Sequence, residues 1–183
     1  VGLSSKLLTR SHHNDEIKKR EGYLIVSLGW LFMALFGTLP YYISGAIPSI
    51  HDAFFETMSG LTTTGATILG DTGHKISELA PSLLFWRSMT QWIGGMGIIV
   101  LTIAILPLLG IGGMELFVAE APGPTKDKIH PRIKETAKRL WVIYFGLTVL
   151  ETIALMFAGM DFYDAINHAL TTNSTGGFST KDG

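Results

Sequence analysis

The chain has 183 residues, of which 47% are hydrophobic and 16% charged, with 21 glycines, no cysteine and a mean hydropathy of +0.34. Soluble domains are about a quarter charged, so the composition points to a membrane protein, and the lack of cysteine excludes disulfides and thiolate metal centres. A net charge of -1 says little as a sum, and no nucleic-acid partner is expected from it; the distribution of charge along the chain is what informs.

Residues 1–22 are polar, with Lys6, Arg10, Lys18, Lys19 and Arg20, and contain no signal-peptide pattern; they are expected on the cytoplasmic side. Tyr23 to Ile43 carries no charge and has the length to cross a bilayer. The long connection Ser44 to Ser82 holds Asp52, Glu56, Asp71 and Glu78 against Lys75, which places it outside, where an acidic balance draws cations inward. Within it, Asp52 to Leu61 is too short to span but rich in Phe and Met, which predicts a half-helix dipping into the membrane, with Thr62 to Thr67 as its extended return. Leu83 to Leu109 is a second span whose one charge is Arg87, and residues 110–140 form a basic cytoplasmic loop with Lys126, Lys128, Arg132, Lys134, Lys138 and Arg139. Trp141 to Met160 is a third span with Glu151 alone. A second half-helix from Asp164 to about Thr172 and a second return, Ser174 to Ser179, follow. Pro40 and Pro107 lie near span ends, where proline is tolerated.

The chain therefore repeats itself at an offset of 112 residues, which sets Thr63 on Thr175 and Gly65 on Gly177. Residues 23–109 make one span, half-helix, return and span unit, and 141–183 an incomplete second. A unit built like the first predicts a helix beyond Gly183. With Val1 in place of an initiator Met, the chain is expected to be a piece of a longer protein. The predicted class is all-α integral membrane, built of repeated helix, re-entrant pore half-helix and helix units around a cation pore. Glycine frees the backbone to turn carbonyl oxygens toward one axis, and threonine adds oxygen ligands without charge, so Thr63, Thr64, Gly65, Thr175, Gly176 and Gly177 are the candidate ion-binding residues for a monovalent cation. No enzymatic activity and no cofactor are expected. The alternative is a membrane enzyme or assembly subunit with a polar intramembrane site formed by Glu56, His168, Asp164 and Glu151, in which the Thr/Gly segments are packing turns. Repetition discriminates the two, because a catalytic site needs different groups in different roles whereas a filter needs one element several times.

Other residues have plainer readings. Gly94, Gly95 and Gly97 favour close helix packing over a hinge, with Gly60 assigned to the half-helix and not to the filter. Arg87 and Gln91, one turn apart, are expected to pair with external carboxylates or pore-loop backbone. Glu151 fits a relay, an interhelical hydrogen bond or a protonated acid equally. The histidines are scattered, and neither a phosphate loop nor a nucleophile elbow is present.

Six pieces occur in order: Phe54 to Thr67, Gln91-Trp92-Ile93-Gly94-Gly95-Met96-Gly97-Ile98, Ala119 to Pro124, Pro131-Arg132-Ile133, Glu135-Thr136-Ala137-Lys138, and Gly176-Gly177-Phe178-Ser179-Thr180. In these the chain resembles the Trk/Ktr/HKT superfamily of potassium transporters, most closely the membrane subunit of bacterial Trk-type uptake systems, from about Arg20 to Asp182. The resemblance implies four helix, pore-helix, helix repeats about a pseudo-fourfold axis, of which this chain supplies the first and most of the second. It implies a pore architecture like that of potassium channels, with potassium bound at Thr63, Thr64, Gly65, Thr175, Gly176 and Gly177 and with Gly65 and Gly177 as the key glycines. It also implies potassium ion transport through the bacterial inner membrane in a transporter or symporter, pairing as a homodimer, and a cytoplasmic nucleotide-binding regulatory subunit meeting the basic loop, which membrane lipid would also contact.

Overall fold

A computed structural model of the chain describes the backbone of residues 19–70, 75–109 and 129–182, and the side chains of 23–70, 75–97 and 135–182. Most of the expected N-terminal segment, residues 110–128 of the basic loop, Asp71, His74 and the Ala119 to Pro124 piece lie outside the described residues. Among those described the fold is helical, without strands: α1 (Lys19–Ile43), α2 (Ile50–Leu61), a 3-10 turn (Ile76–Glu78), α3 (Pro81–Leu109), α4 (Ile129–Phe157) and α5 (Phe162–Asn173). At ~1.5 Å per residue the three long helices reach about 38 to 44 Å, more than the ~30 Å of a bilayer core. Tyr23–Ile43 in α1 and Glu135–Phe157 in α4 are long and apolar enough to cross a membrane, and only 17% of each apolar window is buried, so these helices turn their oily faces outward rather than into a core.

Helix ends follow local chemistry. Ser49 and Asp161 cap α2 and α5, their side chains accepting the Asp52 and Tyr163 N–H groups at 3.4 and 3.1 Å, so each half-helix starts two residues before its expected first residue. The two are of equal length and keep the 112-residue offset at both ends. The third span differs more. Its helix begins at Ile129, because Pro131 falls in the first turn where a missing N–H costs nothing, and Lys134, Glu135, Ala137, Lys138 and Arg139 are good helix formers. The last third of the expected basic loop is thus a helical extension of α4. That helix stops at Phe157 rather than Met160, since Gly159 takes φ +98° and the Gly159 and Met160 N–H groups return to the Met156 and Leu155 carbonyls at 3.0 and 3.1 Å.

α1 buries one narrow stripe, Ala34, Gly37, Thr38 and Tyr41, against α2, while Leu35, Phe36 and Ile43 remain exposed. α4 does the same toward α5 and α3 with Tyr144, Thr148 and Thr152; the Tyr144 hydroxyl donates to the Trp92 carbonyl at 3.1 Å and Trp92 Nε1 donates to Thr148 Oγ1 at 3.0 Å. α3 is the wedge between the half-helices. A Cβ on Gly94 would lie 2.0 Å from the Leu61 carbonyl at the end of α2, and one on Gly95 would lie 3.0 Å from Ser174 Cβ just beyond α5. The packing reading of these two glycines is the one the geometry supports, one glycine for each half-helix end. Gly60 sits on α2 as expected, but a Cβ there would fall 2.2 Å from Thr90 Oγ1, so it is no neutral control for substitutions nearby.

Gly94→Ala should therefore lower the thermal stability of the purified full-length protein by about 1–3 kcal/mol through overpacking. Gly29→Ala, where a Cβ meets nothing within 4 Å, should leave it unchanged or slightly raised. Melting curves in detergent check both.

Candidate functional site

Both half-helices unwind in the same way. After α2 the Thr63 N–H bonds the Gly60 carbonyl at 2.9 Å and the Thr64 N–H the Ser59 carbonyl at 3.0 Å; after α5 the Thr175 N–H bonds Thr172 at 2.8 Å and the Gly176 N–H bonds Thr171 at 2.9 Å. This is the usual left-handed helix stop, with threonine where glycine is common. Thr63 and Thr175 take φ +56° and +59°, and Gly65 and Gly177 both take +77°. The sequence repeat is thus a repeat of backbone conformation, residue by residue. All six predicted residues lie on these two returns.

The strands touch. A Cβ on Gly65 would stand 2.1 Å from the Gly176 carbonyl oxygen, so the first strand approaches the second through the face that glycine leaves bare. Gly177 matches Gly65 in conformation, and a Cβ there meets nothing within 4 Å. Gly176 differs from both: it is buried, its φ is ordinary, and a Cβ would fall 2.2 Å from Gln91 Cδ.

Behind the strands lies a polar brace on α2 and α3. Glu56, fully buried, accepts from Arg87 Nε at 2.6 Å, from the Thr67 hydroxyl at 2.9 and 3.0 Å to its two oxygens, and from the Ile68 N–H at 3.1 Å. Arg87, 2% exposed, also donates Nη1 to the Ser179 carbonyl at 2.9 Å and lies 3.8 Å over the Phe178 ring. The ion pair therefore ties the end of the first strand to the end of the second. Gln91 Oε1 accepts the Phe178 N–H at 3.1 Å. The expected pairing of Arg87 and Gln91 with a carboxylate and with pore-loop backbone is what these bonds are. Glu151 accepts from Asn173 Nδ2, the last residue of α5, at 2.9 Å, which is the interhelical hydrogen bond among its three readings.

Beyond the second return, Asp182 accepts the Ile76 N–H at 2.7 Å and the Ser77 hydroxyl at 2.5 Å, clasping that return to the segment between α2 and α3. The Ser77 hydroxyl, with the Ile76 and Ser77 N–H groups, holds the Asp182 carboxyl below its ordinary value. Asp164 accepts from Thr180 Oγ1 and pairs with Lys181, both at 2.9 Å, and Lys181 likewise lowers it. Sequence reasoning missed Asp182, Ser77 and Phe178. Glu56 was legible as one external acid among four and as a member of the alternative intramembrane site, but not as the partner of Arg87, although an acid in an apolar half-helix and an Arg in an otherwise uncharged span are a pair of opposite anomalies. No cluster of metal-ligating side chains occurs among the described residues.

Residues 3–183 match the family model for TrkH, described as a cation transport protein. The Trk system potassium uptake protein TrkH of Escherichia coli K12 is 56% identical over 169 residues, 91% of this chain and 34% of that protein. TrkG of the same organism, also a Trk system potassium uptake protein, is 41% identical over 167 residues, 90% of this chain and 34% of that one. The crystal structure of the potassium transporter TrkH from Vibrio parahaemolyticus superposes with a TM-score of 0.75 at 48% identity, covering 93% of this chain and 33% of that one. The chain spans about a third of the length of these relatives.

Two outcomes follow from the brace and the clasp. Arg87→Met strands a buried carboxylate and should cost about 3–5 kcal/mol of stability, and adding Glu56→Gln should recover at least about 1 kcal/mol of it, as measured in a double-mutant cycle by melting. Because the Asp182 value is depressed on folding, the clasp's contribution is complete above the ordinary carboxylate value of 3.8 and is lost as pH falls through the lower folded one. Hydrogen exchange at Ile76 and Ser77, corrected for intrinsic rates, should show equal protection at about pH 7 and about pH 5.

Proposed function

The chain belongs to the TrkH family of cation transport proteins, and on that premise we propose that its two Thr/Gly returns are neighbouring strands of a potassium filter. The observation that carries the reading is the paired conformation: left-handed Thr63 and Gly65, left-handed Thr175 and Gly177, with Gly65 facing the Gly176 carbonyl across the strand boundary. Alternating handedness along a short segment turns successive carbonyls to one side, whereas an ordinary strand turns them alternately. Carbonyls and threonine oxygens gathered in this way replace the hydration shell of a monovalent cation without a covalent step. Thr63, Thr64, Gly65, Thr175, Gly176 and Gly177 are the proposed lining, with Gly65 and Gly177 as the positions that need free dihedrals.

The full-length protein is proposed to complete the ring with two further repeats about a pseudo-fourfold axis, in a multi-pass protein of the bacterial inner membrane, with the basic segment from Lys126 to Arg139 inside. Potassium is its substrate. A homodimer, a nucleotide-binding regulatory subunit on the basic face, contact with anionic lipid there, and coupling to a second ion belong to the same proposal. The competing intramembrane enzyme site has no support in the geometry: Glu56 is bonded to Arg87, Asp164 to Thr180 and Lys181, and Glu151 to Asn173.

In the full-length protein, Gly65→Ser or Gly177→Ser should weaken discrimination of potassium from sodium, and Asp at either position should largely abolish uptake, since a side chain shifts the carbonyls and narrows the path. Uptake at limiting potassium, with and without excess sodium, in cells lacking other potassium systems is the measurement, with Gly29→Ala as the control. Normal expression with wild-type affinity and selectivity in both serine variants would overturn the assignment.

A further inference from the structure

Among their proposed lining residues the two strands differ at one place. Where the first has Thr64, exposed and with its hydroxyl 2.9 Å from that of Thr62, the second has Gly176, buried. Glycine is not required there by backbone conformation, for only Gly177 and Thr175 on that return are left-handed. What requires it is Gln91: a Cβ on Gly176 would lie 2.2 to 2.5 Å from the Cδ, Oε1 and Nε2 atoms of that carboxamide. Gln91 is fully buried and its Oε1 accepts the Phe178 N–H at 3.1 Å, which fixes the orientation of the amide, since the reverse would set N–H against N–H. Its Nε2 is then turned to the strand boundary, 4.0 Å from where a Gly65 Cβ would be, and has no hydrogen-bond partner. A buried amide donor left unpaired costs stability that an apolar side chain of the same shape would not. Glutamine there is therefore explained by its acceptor and its position, not by packing alone.

We propose that Gln91 is a selectivity-determining positioning residue: from α3 it holds the Phe178 N–H of the second strand and occupies the space behind Gly176, fixing that strand's carbonyls in register with the first strand at Gly65. The residue acts through the strands and does not touch the ion. Without its acceptor the Phe178 N–H is unsatisfied at membrane depth, and the strand relaxes toward any partner it can find. Rather than blocking the path, this blurs the distances that distinguish potassium from the smaller sodium ion. The inference rests on the filter reading above.

The test is made in the full-length protein, with the ratio of potassium to sodium affinity in uptake as the readout, since a merely structural contribution would change the amount of protein and leave the ratio alone. Gln91→Met keeps the shape and removes the acceptor; Gln91→Asn keeps the amide but withdraws it by one methylene. Each should lower the ratio on the order of tenfold, as for the loss of one buried hydrogen bond. Gln91→Glu keeps an oxygen for Phe178 and should stay within about threefold of the wild type, a small fraction of that loss. If either loss variant reaches the membrane with an unchanged ratio, or Gln91→Glu loses as much as Gln91→Met, the inference falls. Should Gly65→Ser and Gly177→Ser reduce the ratio while the Gln91 loss variants do not, the filter reading stands and only the role of Gln91 is refuted. If none of these changes the ratio, both fall.

Discussion

Backbone that leaves a helix inside a membrane protein must satisfy its amides from the protein or from water in a cavity, and this one requirement organises the site. The returns after α2 and α5 meet it in layers. The amides of Thr63, Thr64, Thr175 and Gly176 turn back onto the half-helix that precedes them, and side chains from α2 and α3 take two later ones: Ile68, just past the first return, by Glu56, and Phe178 by Gln91. One carbonyl of the first return, that of Ala66, is likewise taken by a half-helix side chain, the Ser59 hydroxyl. Arg87 serves the same end in reverse, donating to the Ser179 carbonyl while its charge is balanced by Glu56. A buried ion pair is weak support for stability by itself, but one whose two ends hold two different strands fixes a geometry.

α3 is where packing and polarity meet. Gly94 and Gly95 let its backbone come within contact of the two half-helix ends, and Gln91 one turn earlier and Arg87 two turns earlier reach the strands that leave those ends. Close approach is the condition for the polar contacts, since a long side chain on either glycine would hold α3 away from both. Trp92, edge-on to Trp141 and stacked on Tyr144, clamps α4 to the same helix from the other side.

The first two long helices, the half-helices and the paired returns were legible in the sequence because they rest on composition and on a repeat that compares the chain with itself. Asp52 to Leu61 and Asp164 to Thr172 were each placed within two residues of their helices, the difference being the reach of Ser49 and Asp161 as caps. The start of α4 was not legible, because a basic segment reads as a loop when charge is weighed for topology, though the same residues are good helix formers. Nor could spacing alone tell Gly176 from Gly177. One is glycine for its dihedrals and the other for a neighbour contributed from 85 residues earlier in the chain, a contact only the fold creates.

The threonines at the left-handed positions carry a different lesson. A β-branched residue at φ +56° or +59° is uncommon, and holding it there costs roughly 1–3 kcal/mol that glycine would not. The chain accepts that penalty twice, at equivalent places. Stability alone would favour glycine at 63 and 175, so the hydroxyl or the stiffness of threonine must matter for something other than folding. The return segments are in this sense tensioned: the half-helices, the α3 brace and the Asp182 clasp hold them in a shape that, released, their own residues would leave.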